Sequence, residues 1–127
     1  MPPATNSKEE RDVVLLDLGN VVLGIDPRQV FCEWTARSGL AVEDFARKWV
    51  LDDAYKDHER GKLNFENYCR TLNERYELSM SYQDWEIGWN KLWTKPFAKV
   101  IDLFPGLKAN YRLCAFSNTN ATHAKDF

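Results

Sequence analysis

The chain has 127 residues, a mass of 14.8 kDa and a formal net charge of −2 at pH 7. Its length suits one ordinary domain, and 44% of its residues are hydrophobic, including five Trp, five Tyr and seven Phe, which is enough to form a core. The charge lacks the basic excess typical of nucleic-acid binders, and no apolar run is long enough to cross a bilayer. We therefore expect neither a nucleic-acid partner nor a membrane partner.

Two further features of the composition suggest where the protein resides. The polar start, residues 1–11, has no apolar signal-peptide segment, and it predicts a disordered tail. Cys32, Cys69 and Cys114 have no metal-type spacing and lie in apolar contexts. They predict reduced, buried thiols in a cytoplasmic protein.

The first predicted element is a strand over residues 13–16, which runs directly into Asp17. A short unbroken apolar run is typical of a parallel strand buried on both faces. Asp17 would then lie at the carboxyl end of the strand, where open α/β sheets bind their ligands. An ordinary strand that ends in a turn of Asp, Gly and Asn explains the same residues.

Residues 27–95 predict a small bundle of helices. Asp26 followed by Pro27 predicts an N-cap and first turn, Gly39 suits the end of that helix, and Asn64 and Ser81 can cap two later helices. The apolar stripes could line a ligand pocket, but packing of helices on one another explains them better. The stripes comprise Val30, Phe31 and Trp34; Val42, Phe45, Trp49 and Val50; Phe65, Tyr68, Cys69, Leu72 and Tyr76; and Tyr82, Trp85, Trp89, Leu92 and Trp93.

A second strand is predicted near the end of the chain. Pro96 predicts another first turn of helix, and Pro105 with Gly106 breaks or restarts that helix. The strand over residues 112–116 then runs into Ser117. If it is parallel to the first strand, Ser117 and Asp17 lie at the same edge of the sheet. A polar loop that simply follows a strand is the alternative.

The two strand ends, separated by a helical insertion, resemble the haloacid dehalogenase (HAD) superfamily, in its phosphatase-like branch with a helical cap between the first and second motifs. Asp17 to Val21 is similar to the first motif, with Gly19 in place of its second Asp, and Ser117 matches the Ser or Thr of the second motif. The resemblance covers about residues 12–123.

The resemblance implies a fold and a domain organisation. It predicts an α/β fold with a Rossmann-type parallel sheet, of which only the first part is present, and an inserted helical-bundle cap. Residues 12–26 and 96–127 would belong to this partial core, and residues 27–95 would form the cap.

The resemblance also implies a Mg²⁺-dependent phosphatase that acts on small phosphorylated metabolites through an aspartyl-phosphate. Asp17 would be the nucleophile and a metal ligand, and the backbone carbonyl of Gly19 would be a second metal ligand. Ser117, with the amide of Asn118, would bind the phosphate. Arg60 resembles a cap residue that faces the core site, although we favour a solvated helix end there.

The sequence departs from the family pattern in two ways that bear on catalysis. Gly19 replaces an acid–base Asp, whose loss costs about 10²–10⁴-fold in rate, and this leaves dehalogenation open as an alternative. No residue matches the Lys of the third motif or the acidic pair of the fourth, since Lys125 follows the second motif too closely. We therefore expect part of a longer enzyme, or a truncated product that is inactive alone.

Two readings without catalysis remain. One is a catalytically silent binding or regulatory protein that keeps the fold, and the other is a helical domain with two incidental strands. The sequence specifies neither the substrate nor the oligomeric state.

Overall fold

The computed structural model describes residues 11–126, and the expected tail at residues 1–11 lies outside this range except for Arg11. Within this range, two strands come first, a run of helices follows, and the last part of the described chain contains two more strands with helices between and after them. In chain order the elements are β1 (Val13–Leu16), β2 (Leu23–Ile25), α1 (Pro27–Ser38), α2 (Val42–Lys48), α3 (Asp53–Glu59), α4 (Phe65–Tyr76), α5 (Tyr82–Trp89), a 3-10 helix (Asn90–Leu92), β3 (Trp93–Pro96), α6 (Ala98–Ile101), α7 (Phe104–Asn110), β4 (Arg112–Ala115) and α8 (Ala121–Ala124).

The chain divides into two compact units. The described residues 11–24 and 95–117 form the first, here named the core unit, and residues 25–94 and 118–126 form the second, the helical unit. The sequence placed residues 118–126 with the core. They cluster with the helices instead, because the Thr122 hydroxyl lies 3.2 Å from Nε2 of His58 and the His123 ring lies 3.2 Å from the Asn90 carboxamide oxygen.

The core unit contains a parallel pair of strands, β1 and β4, in which Val13 pairs with Arg112 and Leu16 with Ala115. The pairing extends past β4, since the N–H of Phe116 donates to the carbonyl of Leu16 at 2.8 Å. The second pair of strands in the described chain is β2 with β3.

One face of the β1–β4 pair is exposed, so the expectation that the first strand is buried on both faces is wrong for the described residues. Leu15 keeps 62% of its surface exposed and Phe116 keeps 69%. Leu16 and Leu113, on the other face, are half-buried and line a cavity together with Phe104 of α7. An apolar run shows which residues can be buried, but not which element covers them.

The core of the helical unit is mainly aromatic, and its largest fully buried side chains are Trp34, Trp85, Tyr68, Phe45 and Leu72. Two polar groups of this core donate to backbone carbonyls. The indole N–H of Trp34 donates to the carbonyl of Trp85 at 3.0 Å, and the Tyr76 hydroxyl donates to the carbonyl of Phe45 at 3.0 Å. Most residues of the predicted stripes therefore pack against one another, whereas Val50 and Tyr82 are exposed.

The predicted helix caps are confirmed. A carboxylate oxygen of Asp26 accepts from the N–H of Arg28 at 3.0 Å, and Gly39 ends α1 with φ of 76°. The side chain of Asn64 accepts a backbone N–H at 2.8 Å and that of Ser81 accepts one at 3.1 Å, which begins α4 and α5 respectively.

The region around Trp93 differs from the prediction. Helix α5 ends at Trp89, Trp93 opens strand β3, and Pro96 ends that strand instead of starting a helix. Hydrogen bonds between distant segments explain the difference, because the N–H of Asp26 donates to the carbonyl of Leu92 at 2.9 Å. This tertiary pairing outweighs the local helical spacing of the aromatic residues.

The cysteines are free thiols, as expected, but Cys69 alone among them is buried, whereas Cys32 and Cys114 are exposed. The prediction of burial is therefore wrong for two of the three. None of the helices within residues 11–126 is both long enough and apolar enough to span a membrane.

Candidate functional site

Asp17 stands immediately after β1 and is exposed. One of its carboxylate oxygens accepts the backbone N–H of Leu18 at 2.8 Å, which restrains the orientation of the carboxylate. The other oxygen can face solvent or a ligand. This is the position that the sequence predicted for Asp17.

The loop after Asp17 is closed by backbone hydrogen bonds. The carbonyl of Leu18 accepts the N–H of Leu23 at 2.9 Å, and the carbonyl of Leu23 accepts the N–H of Asn20 at 2.7 Å. Asn20 has φ of 57°, a left-handed conformation that Asn tolerates better than most residues. The carbonyl of Gly19 is not an acceptor in these two backbone hydrogen bonds.

Ser117 is brought to the same edge of the sheet as Asp17 by the register of β1 and β4. Because Leu16 pairs with Ala115 and both strands run the same way, Asp17 and Ser117 follow the two strand ends directly. Ser117 is half-buried. We name Asp17, Gly19 and Ser117 the strand-end site.

Comparison with solved structures identifies the fold. A HAD family enzyme from Bacteroides thetaiotaomicron, in complex with magnesium and inorganic phosphate, superposes with a TM-score of 0.71 at 22% identity over 91% of this chain and 57% of that one. A predicted HAD-like family hydrolase from Porphyromonas gingivalis gives a TM-score of 0.63 at 23% identity over 88% of this chain and 53% of that one. The chain has a HAD-like fold.

The HAD-like fold confirms the predicted α/β class with a parallel sheet and an inserted group of helices. The chain spans little more than half the length of the structures that it matches. No protein-family model matches the chain.

Part of the donor set for a metal is present at the strand-end site. Asp17 offers a carboxylate oxygen and Gly19 a carbonyl oxygen, and hard oxygen ligands of this kind suit Mg²⁺, which usually retains several waters. Within residues 11–126 there is no group of three His, Cys, Asp or Glu side chains that could hold a metal. The two oxygens are of the type that Mg²⁺ prefers, and by themselves they do not complete a metal site.

Two predicted site residues belong to the helical unit of this HAD-like fold. Asn118 is exposed and clusters with that unit. Arg60 is exposed at the end of α3, where its backbone N–H donates to the carbonyl of Lys56 at 3.0 Å, and Gly61 follows with φ of 74°. This geometry is that of a helix end, and a contact between Arg60 and a substrate stays a prediction.

The helical unit contains a group of buried polar residues that the sequence did not predict. One of them is His123, to which we assigned no role from the sequence. His58, Asn120, Thr122 and His123 are all buried, at 3–7% exposure. We name them the polar cluster. Nε2 of His58 lies 3.2 Å from the Thr122 hydroxyl, and the Asn120 carboxamide donates to Glu59 at 2.8 Å.

Burial controls the charge of the two histidines. Desolvation lowers the pKa of His58, and desolvation together with the neighbouring His58 lowers the pKa of His123 to about 4. Both imidazoles are therefore neutral near pH 7. The sequence signal that could have found part of this cluster is Asn120, which accepts the N–H of His123 as the N-cap of α8.

Proposed function

We propose that this HAD-like chain carries the nucleophile and phosphate-binding part of a Mg²⁺-dependent phosphatase for small phosphorylated metabolites. The observation that supports it most strongly is the parallel register of β1 and β4, which brings the Asp17 carboxylate and the Ser117 hydroxyl to one edge. The structural likeness to an enzyme in complex with magnesium and inorganic phosphate adds support.

Asp17 is the nucleophile in this proposal. A carboxylate oxygen of Asp17 attacks phosphorus, the bond between phosphorus and the leaving oxygen breaks, and an aspartyl-phosphate forms. Water then attacks phosphorus, which releases inorganic phosphate and regenerates the carboxylate. The hydrogen bond from the N–H of Leu18 leaves the second carboxylate oxygen of Asp17 for this attack.

The surrounding groups stabilise charge. The Ser117 hydroxyl and the backbone N–H of Asn118 donate to phosphate oxygens, where negative charge develops during transfer. Asp17 and the Gly19 carbonyl would hold Mg²⁺, which neutralises charge between an anionic nucleophile and an anionic substrate.

Gly19 stands where the family motif has an acid–base Asp, so this chain has no carboxylate at that position. The proton for the leaving group therefore comes from water or from the substrate. The cost of about 10²–10⁴-fold for such a loss is small beside the up to ~10²¹-fold acceleration that enzymes reach with phosphate monoesters. The same substitution keeps carbon–halogen hydrolysis as an alternative, since that reaction needs no proton donor for the halide.

A catalytically silent binding protein is the second candidate. It is favoured by Gly19 and by the lack of a metal-binding side-chain cluster within residues 11–126. For the same reason, we expect the 127-residue chain by itself to show no turnover. We also propose that the protein is cytoplasmic, because its three cysteines are free and free thiols are typical of that compartment.

The test measures hydrolysis of p-nitrophenyl phosphate, with and without Mg²⁺, by the 127-residue chain and by the longest natural polypeptide that contains it. We expect activity in the longer polypeptide only, and we expect it to require Mg²⁺. Asp17→Asn should lower kcat by more than about 10⁴-fold, the size typical of losing a nucleophile. Asp12→Asn, an exposed Asp before β1, is the matched control and should retain full activity.

Other results of this experiment would refute the assigned nucleophile or distinguish among the alternative functions. Activity that survives Asp17→Asn would refute the assignment of the nucleophile. Turnover by the short chain that depends on Asp17 would uphold the phosphatase and overturn the expectation of inactivity. Release of halide from a 2-haloacid in place of phosphate release would establish the dehalogenase, and neither activity would favour the silent protein.

A further inference from the structure

The helical unit contains a cavity of about 130 Å³ that the proposed phosphatase reaction does not use. Its wall is largely aromatic and comes from separate parts of the unit: Phe31 of α1, Trp49 after α2, Tyr55 of α3 and Trp89 of α5. Leu92 and Val30 add aliphatic surface. We name this space the ring cavity.

The ring cavity has a closed floor and an accessible rim. Val30, Trp89 and His123 are buried at 5–7% exposure, and they form the floor. Trp49 and Leu92, which also line the cavity, are half-buried and reach solvent. A small molecule can therefore enter without unfolding the unit.

The size and polarity of the ring cavity indicate whether water or an apolar molecule occupies it. A water molecule occupies about 30 Å³ in the liquid and needs two to four polar partners in a protein interior. Four lining residues carry polar groups, namely His123, Tyr55 and the indoles of Trp49 and Trp89, and the indole N–H of Trp89 is buried with no acceptor in the described chain. Most of the remaining wall is hydrocarbon, from Pro27, Val30, Phe31, Leu92 and the ring faces, so it favours a largely apolar molecule over a group of waters.

We propose that the helical unit binds a small, uncharged, single-ring aromatic molecule in the ring cavity. Apolar cavities of about 150 Å³ in proteins accommodate benzene, so a volume of about 130 Å³ suits one ring and is too small to enclose two fused rings.

The arrangement of the wall explains the preference for an aromatic molecule. The rings of Phe31 and Trp49 lie 5.9 Å apart, and those of Trp49 and Tyr55 lie 6.0 Å apart at 82°. Rings held at such angles present both edges and faces to an occupant, and aromatic pairs gain from edge-to-face contact beyond simple burial. An ion would lose its hydration in the cavity without gaining a charged partner.

The test follows the binding of fluorobenzene to the 127-residue chain by fluorine NMR, with tryptophan fluorescence as a second signal. We expect saturable binding to the wild-type chain, and at least tenfold weaker binding of fluorobenzoate, which has the same ring and a negative charge. Leu92→Phe fills the cavity and should weaken fluorobenzene binding at least tenfold. Ile87→Phe is the matched control, since Ile87 is 42% exposed and does not line the cavity, and it should bind as the wild type does.

Two further variants keep the test decisive if Leu92→Phe disturbs folding, which circular dichroism will show. Val30→Ile adds one methyl group to the wall and should weaken binding by a smaller factor. Trp49→Leu enlarges the cavity and should allow naphthalene to bind. Absence of saturable binding by the wild-type chain, or equal binding by Leu92→Phe and Ile87→Phe when both are folded, would overturn the proposal.

Discussion

Gly88 shows how a single residue determines the packing of the helical unit. It lies buried on α5 against Trp34, and a Cβ atom built at this position would overlap the indole ring of Trp34. Trp34 has little freedom to move away, because it is fully buried and its indole N–H donates to the carbonyl of Trp85. Glycine is required here for close approach, at the expense of some helix propensity.

We therefore predict that Gly88→Ala lowers the free energy of unfolding by about 1–3 kcal/mol, the cost typical of overpacking a core. Gly106→Ala is the control, because a Cβ at that position on α7 meets nothing within 4 Å. It should leave stability unchanged or raise it by up to about 1 kcal/mol through helix propensity. Urea unfolding of the two variants measures the difference, and equal stabilities would contradict this packing.

At the scale of elements, α8 is attached to the rest of the helical unit through the polar cluster. Its Thr122 and His123 contact His58 of α3 and Asn90 of the 3-10 helix. The His123 ring also stacks on Trp89, with centroids 5.2 Å apart. Neutral imidazoles fit this environment, whereas charged ones would lose hydration without a compensating partner.

We predict that the helical unit loses stability as the pH falls below about 6.5. An imidazole in the unfolded chain has a pKa near 6.5, whereas burial lowers the pKa of His123 to about 4 in the folded state. Between these values the unfolded state binds the proton and the folded state does not, so the free energy of unfolding falls with falling pH. Each unit of difference in pKa contributes about 1.4 kcal/mol.

Urea unfolding between about pH 7 and about pH 5 tests this prediction. His123→Phe keeps a flat ring against Trp89 and removes the titrating group. We expect a shallower dependence of stability on pH in this variant, whatever its absolute stability. A slope equal to that of the wild-type chain would exclude His123 as a cause of the acid sensitivity.

The sequence predicted the elements that depend on contacts between near neighbours in the chain, and it missed those that depend on distant residues. Helices α1, α4 and α5 begin where Asp26, Asn64 and Ser81 predict, because a cap is a contact between near neighbours in the chain. Strand β3 was missed because Trp93 continues a helical spacing, and its strand conformation depends on pairing with distant residues. His123 was missed for a similar reason, since its burial depends on residues more than thirty positions away.

At the scale of the whole molecule, the fold class and the placement of Asp17 and Ser117 at one edge of the sheet were predictable together. Two apolar strands, each followed by a polar residue suited to the chemistry, indicate a parallel pair and therefore a common edge for Asp17 and Ser117. The exposed face of β1, including Val13 and Leu15, was not predictable. The apolar character of a strand indicates that its residues can be buried, but it does not specify the element that covers them.

The parallel register of β1 and β4 is the central claim, because the proposed roles of Asp17 and Ser117 depend on it. The most direct test is formation of a disulfide in the chain that carries Leu16→Cys and Ala115→Cys, with Cys114→Ser to prevent mispairing. Paired residues on neighbouring strands have Cα atoms about 4.8 Å apart, within the range of a disulfide. Leu16→Cys with Leu113→Cys, again with Cys114→Ser, is the control, since its Cα atoms lie about 8 Å apart in this register.

Peptide mapping by mass spectrometry after mild oxidation gives the result. The register predicts a bridge between positions 16 and 115 and no bridge between positions 16 and 113. A bridge in the control alone, or in neither variant when both are folded, would contradict the register and, with it, the placement of Asp17 and Ser117 at one site.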